Sequence, residues 1–193
     1  MNLADHRKRF ERWRAKLPKN TAYLVDQVLT RIVPEFEARG FVWHPDFAGG
    51  DPTQIGANEI SLQRRSGENW PTVQIPFDKR FWPNFHVDFA VLPPICKRWT
   101  TGGYVDIPRE KAIVVEAPAS FALCKGRKRN FDCQYGYNWF ALFPRRYLDG
   151  EIAHLRALLP EVFDLFDRGI PKDWLKHKYG YVTKHILVRP QQI

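Results

Sequence analysis

Serine and cysteine are both scarce, three of each in 193 residues. None of the serines stands in a G-x-S-x-G elbow, which excludes the usual strand-turn-helix nucleophile. Cys96, Cys124 and Cys133 are odd in number and form no C-x-x-C pair. They are read as small buried hydrophobes, not as a disulfide or zinc framework. No apolar run approaches the roughly 20 residues of a membrane helix. The opening MNLADHRKRFERW carries no apolar signal region, so a cytoplasmic protein without a membrane partner is expected. The pairs Gly49–Gly50 and Gly102–Gly103 lack the lysine and spacing of a phosphate loop. There is no H-E-x-x-H, and His177 and His185 are too far apart for adjacent helical turns. No metal site and no cofactor are therefore expected.

Acids are fewer than bases, 21 against 30, leaving a net charge of +9. The excess is uneven. Residues 1–20 carry seven Lys/Arg against Asp5 and Glu11, a net +5. The run KGRKR at 125–129 contains four cations and no acid. Residues 171–193 hold five cations against Asp173, whereas residues 149–170 hold five acids against Arg156 and Arg168. Such a surface attracts anions over roughly 8–10 Å at ordinary ionic strength.

Hydrophobic residues reach 44% and aromatics 15%, enough for one core built largely from rings. Asp5 is read as the cap of a first helix running to about Leu17, with a narrow stripe of Phe10, Trp13 and Leu17. A second helix, capped by Asn20 or Thr21 and stopped by Gly40, has a wide stripe of Leu24, Val25, Val28, Leu29, Ile32, Val33 and Phe36. Pro34 should kink it or divide off a last turn.

The period then changes to two. EISLQRR and WPTVQIPF read as a hairpin, with Ile60, Leu62, Val73, Ile75 and Phe77 inward. Pro71 and Pro76 cannot donate to a ladder, which predicts an edge or bulged position for the second strand. NFHVDFAVL is the clearest strand, with Phe85, Val87, Phe89 and Val91 on one face and His86 and Asp88 on the other. PPICKRWTTGG reads as an irregular connection, followed by strand candidates at YVDI, AIVVEA, SFALC and GYNWFALF. Asp149 should cap a third helix, which Pro160 is expected to break into two segments. The tail finishes with a strand.

Helices, then strands, then a helix predict one α+β domain over 1–193. Its parts are a helical region 1–40, a mainly antiparallel sheet within 41–147, and a C-terminal helix and tail from 148. Two N-terminal helices and the C-terminal one pack on one sheet face, and the other face is left partly open.

Two constellations merit chemical reading. Gln63, Gln74, His86 and Asp88 can share the open face, and a carboxylate near a histidine ring fixes its tautomer. Alternation of this kind is also what any half-wetted strand shows, and that plainer reading is adopted. Asp88, Asp106 and Glu116 are the carboxylates that would have to converge for a metal-dependent nuclease, and each is read as a surface or hairpin charge.

The second constellation is KGRKRNFDCQYGYNWF. Lys125, Arg127, Lys128 and Arg129 lead into Tyr135, Tyr137 and Trp139, which alternate onto one face. Cations that follow phosphates beside rings that stack on bases are the means by which single strands are held. Gly136 would let a flat partner or a neighbouring backbone approach closely. Arg7, Lys8 and Arg12 of the first helix would widen the footprint.

The resulting expectation is a non-catalytic module for an anionic macromolecule, RNA or single-stranded DNA. Two alternatives remain beside it: a protein-interaction module of adaptor or toxin-immunity type, and an enzyme using His86 and Asp88.

Overall fold

The computed structural model describes residues 4–44, 56–65, 70–124, 134–136, 143–168 and 181–186. The helical opening follows the hydrophobic stripes. α1 (Ala4–Arg14) places Asp5 in its first turn, not before it. α2 (Lys19–Arg31) begins after Pro18, so neither Asn20 nor Thr21 is its cap. Pro34 has the effect its chemistry requires. α2 stops at Arg31, and a separate turn, α3 (Val33–Glu37), takes the proline into its first positions, where a missing N–H costs nothing. The stripe residues Leu24, Val25, Val28, Ile32, Val33 and Phe36 are all buried.

Six strands form one antiparallel sheet. They are β1 (Val42–Trp43), β2 (Glu59–Gln63), β3 (Trp70–Pro76), β5 (Asp88–Leu92), β8 (Ala119–Cys124) and β10 (Tyr181–Ile186), in that spatial order. A short pair, β4 (Asn84–Phe85) with β9 (Tyr135–Gly136), flanks it, and β6 (Ile95–Thr100) pairs with β7 (Gly103–Pro108).

The fold is therefore α+β with a mainly antiparallel sheet. Among the described residues no helix is long and apolar enough to cross a membrane.

Several local expectations are corrected. β3 is an interior strand between β2 and β5, not an edge. Its prolines are tolerated because they stand at the ends of its ladders: Pro71 lies beyond the last β2 pair, Gln63 with Thr72, and Pro76 beyond the first β5 pair, Gln74 with Asp88. The segment read as an irregular connection supplies β6, and AIVVEA forms a 3-10 turn at Val114–Glu116 instead of a strand. The long strand is split into β4 and β5, although its alternation holds: Phe85, Val87 and Phe89 are buried, with His86 and Asp88 half-buried.

α4 (Pro144–Arg168) runs through Pro160 unbroken and starts five residues before Asp149. Pro160 removes one donor, whose acceptor would be the carbonyl of Arg156. Both residues are exposed, so water can serve that carbonyl.

The main core lies between the sheet and the helices. Ile60, Leu62, Val73, Ile75, Phe89 and Phe121 meet the stripe of α2 and the Ile152, Leu155, Leu159 and Phe163 side of α4. Ring pairs tie the layers: Phe36 with Phe163 at 5.2 Å and Phe89 with Phe166 at 5.6 Å. Each such pair adds about 0.5–1.5 kcal/mol beyond the area it buries. Phe10 of α1 is fully buried against Trp13, Trp43 and Phe77.

The second sheet face is not the open surface that its polar residues suggest. Residues 93–118 leave β5, fold over this face as the β6–β7 hairpin and two 3-10 turns, and return at β8. They enclose a smaller core of Trp70, Ala90 and Leu92 with Cys96, Ile107, Ala112, Val114 and Ala117. On this same face Ser61, Gln63 and Thr72 have no exposed surface.

A buried ion pair fastens the layer. Arg98 Nε donates to Glu116 at 2.5 Å and its Nη2 to Lys111 O at 2.9 Å, while Glu116 also accepts the Ile113 N–H at 2.8 Å. Cys96 is buried as expected, and burial pushes its thiol up to about 11.

Candidate functional site

On the second sheet face an acidic patch around Glu59 and Asp88 is assembled by strand register. Ser61 pairs with Gln74, and Gln74 pairs with Asp88, so the three stand in one row across β2, β3 and β5. Glu59 lies two residues before Ser61 and thus on the same face. Gln74 Nε2 donates to Glu59 Oε2 at 3.2 Å. Burial raises the Asp88 carboxyl to about 6, and the charge of Glu59 adds to the effect. Glu59 is itself raised by burial, opposed by a hydrogen bond from the Gly56 backbone, by Lys79 and by Gln74.

Of the expected grouping of Gln63, Gln74, His86 and Asp88, the register sets Gln74 opposite Asp88, with His86 half-buried two residues before it, and Glu59 is the member the sequence reading missed. Period two from Ser61 would have found it. Gln63 is one row away, paired with Thr72 and fully buried. The three carboxylates considered for a metal do not converge. Asp106 pairs with Lys97 at 2.9 Å and Glu116 with Arg98, while Asp88 stands beside Gln74. Among the described residues no group of three His, Cys, Asp or Glu is placed to hold a metal ion.

Of the aromatic-basic run, Lys125, Arg127, Lys128, Arg129, Tyr137 and Trp139 lie outside the described residues. Tyr135 is described, and it is a core residue instead of a stacking face. It has no exposed surface, stacks on Phe85 at 5.6 Å, and its phenol is pushed far up by burial. The reason is its pairing: β9 lies against β4 with Tyr135 opposite Phe85, whose ring belongs to the main core. Gly136 does admit a close neighbour, and that neighbour is the protein's own backbone. With φ of +138°, a β-carbon built there would lie 2.1 Å from the Pro83 carbonyl oxygen.

α1 keeps the arrangement expected of it. Phe10 turns inward, while Arg7, Lys8 and Arg12 are exposed and, with Glu11, line a shallow depression of about 670 Å³. Arg14, by contrast, is held by Asp26 at 2.6 Å and Glu11 at 3.0 Å.

The structure adds a cleft that the sequence reading passed over. The loop 78–84, DKRFWPN, is closed by a hydrogen bond from Asp78 N to Asn84 O at 3.1 Å. Its ends are anchored by the Phe77 and Phe85 rings, 5.7 Å apart. At its tip Phe81 adopts φ of +64°, a conformation costing a bulky residue about 1–3 kcal/mol. The buried hydroxyl of Thr21 donates to the Phe81 carbonyl at 2.5 Å and holds that turn against the first turn of α2.

The rings of Phe81 and Trp82 consequently project outward, 39% and 44% exposed, beside the exposed cations Lys79 and Arg80. Together with Pro18, Lys19, Thr21 and Pro83 the two rings line a cleft of about 360 Å³, a size suited to a small ligand. The signal was present as K-R-F-W, the same pairing of cations and rings sought at 125–139. It was hidden because the four residues read only as the link between two strands.

Compared with known proteins, the chain matches no family model, no curated protein and no solved structure.

Proposed function

We propose that this chain is a non-catalytic module that binds an anionic macromolecule, namely RNA or single-stranded DNA. The observation that carries the reading is how the cations are distributed between paired and unpaired positions. Around the body of the fold many are matched: Arg31 with Asp149, Arg39 and Arg156 with Glu35, Arg64 with Asp167, and Lys97 with Asp106, while the scattered Arg65, Lys111, Arg145 and Arg146 form no ion pair among the described residues. Arg7, Lys8 and Arg12 on α1, Lys16 and Lys19 at the α1–α2 junction, and Arg80 in the adjoining loop form no ion pair among the described residues.

Unmatched positive charge on one region raises the local concentration of a polyanion and speeds its capture. The run at Lys125, Arg127, Lys128 and Arg129 adds further cations to the module, with Tyr137 and Trp139 as the remaining ring candidates of that segment. The acidic patch at Glu59 and Asp88 is kept apart from this role, because two carboxylates repel phosphate.

The test is binding to fluorescent single-stranded RNA and DNA across a salt series. Affinity should fall steeply with salt. Replacing Arg7, Lys8, Arg12, Lys128 or Arg129 with glutamine should flatten the log–log slope by roughly 0.7 for each phosphate that the native side chain neutralises. Absence of binding to either nucleic acid at low salt would end the proposal. Retention of one acidic protein after nuclease treatment would instead favour the protein-interaction reading.

A further inference from the structure

Resting on the anion-binding reading above, we infer that the cleft between the start of α2 and the loop 78–84 is a nucleotide seat. In it one unstacked base lies on the Trp82 and Phe81 rings, and the neighbouring phosphates meet Lys19 and Arg80. Four observations lead to this occupant.

Most rings of the described chain are buried in the core; these two, like Tyr104 and Phe143, stay partly exposed, and here the exposure is fixed by a backbone conformation that phenylalanine disfavours and by the Thr21 hydrogen bond. A tryptophan lining a formed cleft with Lys19, and with the exposed Arg80 two residues before it in the same loop, is the composition of a binding hot spot, not of a solvated loop. None of the residues lining the cleft is acidic. The nearest loop carboxylate, Asp78, already accepts the Arg80 backbone N–H at 2.6 Å. The charge presented is therefore positive, which selects an anionic occupant over a neutral aromatic one.

The walls are also firm. Asn84 pairs with Gly136, whose missing side chain lets the β9 backbone close up behind Pro83. A seat held in this way can receive a base without being ordered first. Base–ring stacking tolerates any sequence because every base has a π face, so the seat should show little sequence preference.

The experiment compares a 12-residue oligothymidylate and oligouridylate with an abasic oligomer of the same length and charge, using the full chain. The normal oligomers should bind about 5- to 150-fold more tightly than the abasic one, the range expected for a single stacked base. Trp82→Ala should abolish this difference while leaving the salt slope unchanged, and Trp82→Phe should restore part of it. Thermal unfolding of both variants verifies that they are folded.

Equal binding of normal and abasic oligomers by the native protein would overturn the seat and leave the anion-binding module standing. Retention of the full difference in Trp82→Ala would overturn it as well. Failure of all the oligomers to bind at low salt would overturn both proposals together.

Discussion

Replacing Gly136 with alanine probes the contact on which the loop 78–84 depends. The added β-carbon would lie 2.1 Å from the Pro83 carbonyl oxygen, 2.6 Å from Asn84 Cα and 3.0 Å from the Pro83 carbonyl carbon. All three are backbone atoms, so no side chain can swing aside. Two costs add. A non-glycine residue at φ of +138° loses about 1–3 kcal/mol, and overpacking against a fixed neighbour loses about 1–3 kcal/mol more. The sum, about 2–6 kcal/mol, corresponds in a chain of this size to a fall in melting temperature of roughly 4–24 °C.

Gly150→Ala is the matched control. It lies in α4, is exposed, and its β-carbon would meet nothing within 4 Å, so the change should stabilise by about 0.5–1 kcal/mol. Thermal and urea unfolding followed by circular dichroism would measure both. If Gly136→Ala costs less than about 0.5 kcal/mol, β9 does not press on Pro83 and Asn84 as described, and the rigidity claimed for the cleft falls with it.

Two further outcomes concern the second face of the sheet. Asp88 holds its proton more tightly in the folded chain, to about 6 against 3.8. The folded state therefore binds more protons between those values, and the carboxyl costs stability as pH rises through them. Asp88→Asn should match the parent near pH 4 and exceed it above pH 7 by on the order of 3 kcal/mol; parallel stability curves from pH 4 to 8 would contradict this. Glu116→Ala leaves the Arg98 guanidinium buried and unmatched, at a cost of about 3–5 kcal/mol. Arg98→Met combined with Glu116→Leu should recover most of that stability, and a double-mutant cycle in urea measures it.

The elements that could be read from the sequence are those in which one face is buried and the opposite one wet. The α2 stripe and the Ile60–Leu62, Val73–Ile75 hairpin carry such a contrast, and the structure places both as read. The reading failed where polar residues are buried. Ser61, Gln63 and Thr72 signalled solvent, but they have no exposed surface. Part of their cost is offset by contacts invisible to periodicity, such as the Thr72 hydroxyl donating to Leu62 O at 3.1 Å.

Tyr135 failed for the converse reason: its neighbours are polar and basic, while its partner Phe85 is fifty residues away in sequence and drawn into the core. The cleft at Lys79–Trp82 depends on a positive φ at Phe81 and on a threonine sixty residues earlier. Neither leaves a trace in local composition.

The route of residues 93–118 has a consequence of its own. The strands they separate, β5 and β8, are adjacent antiparallel partners, with Ala90 opposite Ser120. Continued two residues further, that register would bring Leu92 opposite Pro118, close enough for a tight turn to join them. The cover is thus an excursion spliced into what would otherwise be a plain hairpin. Its length and chemistry can vary without any change in strand order or in the helical side of the sheet. What such a cassette alters is how much of this sheet face, the apolar Trp70, Ala90 and Leu92 included, meets the outside.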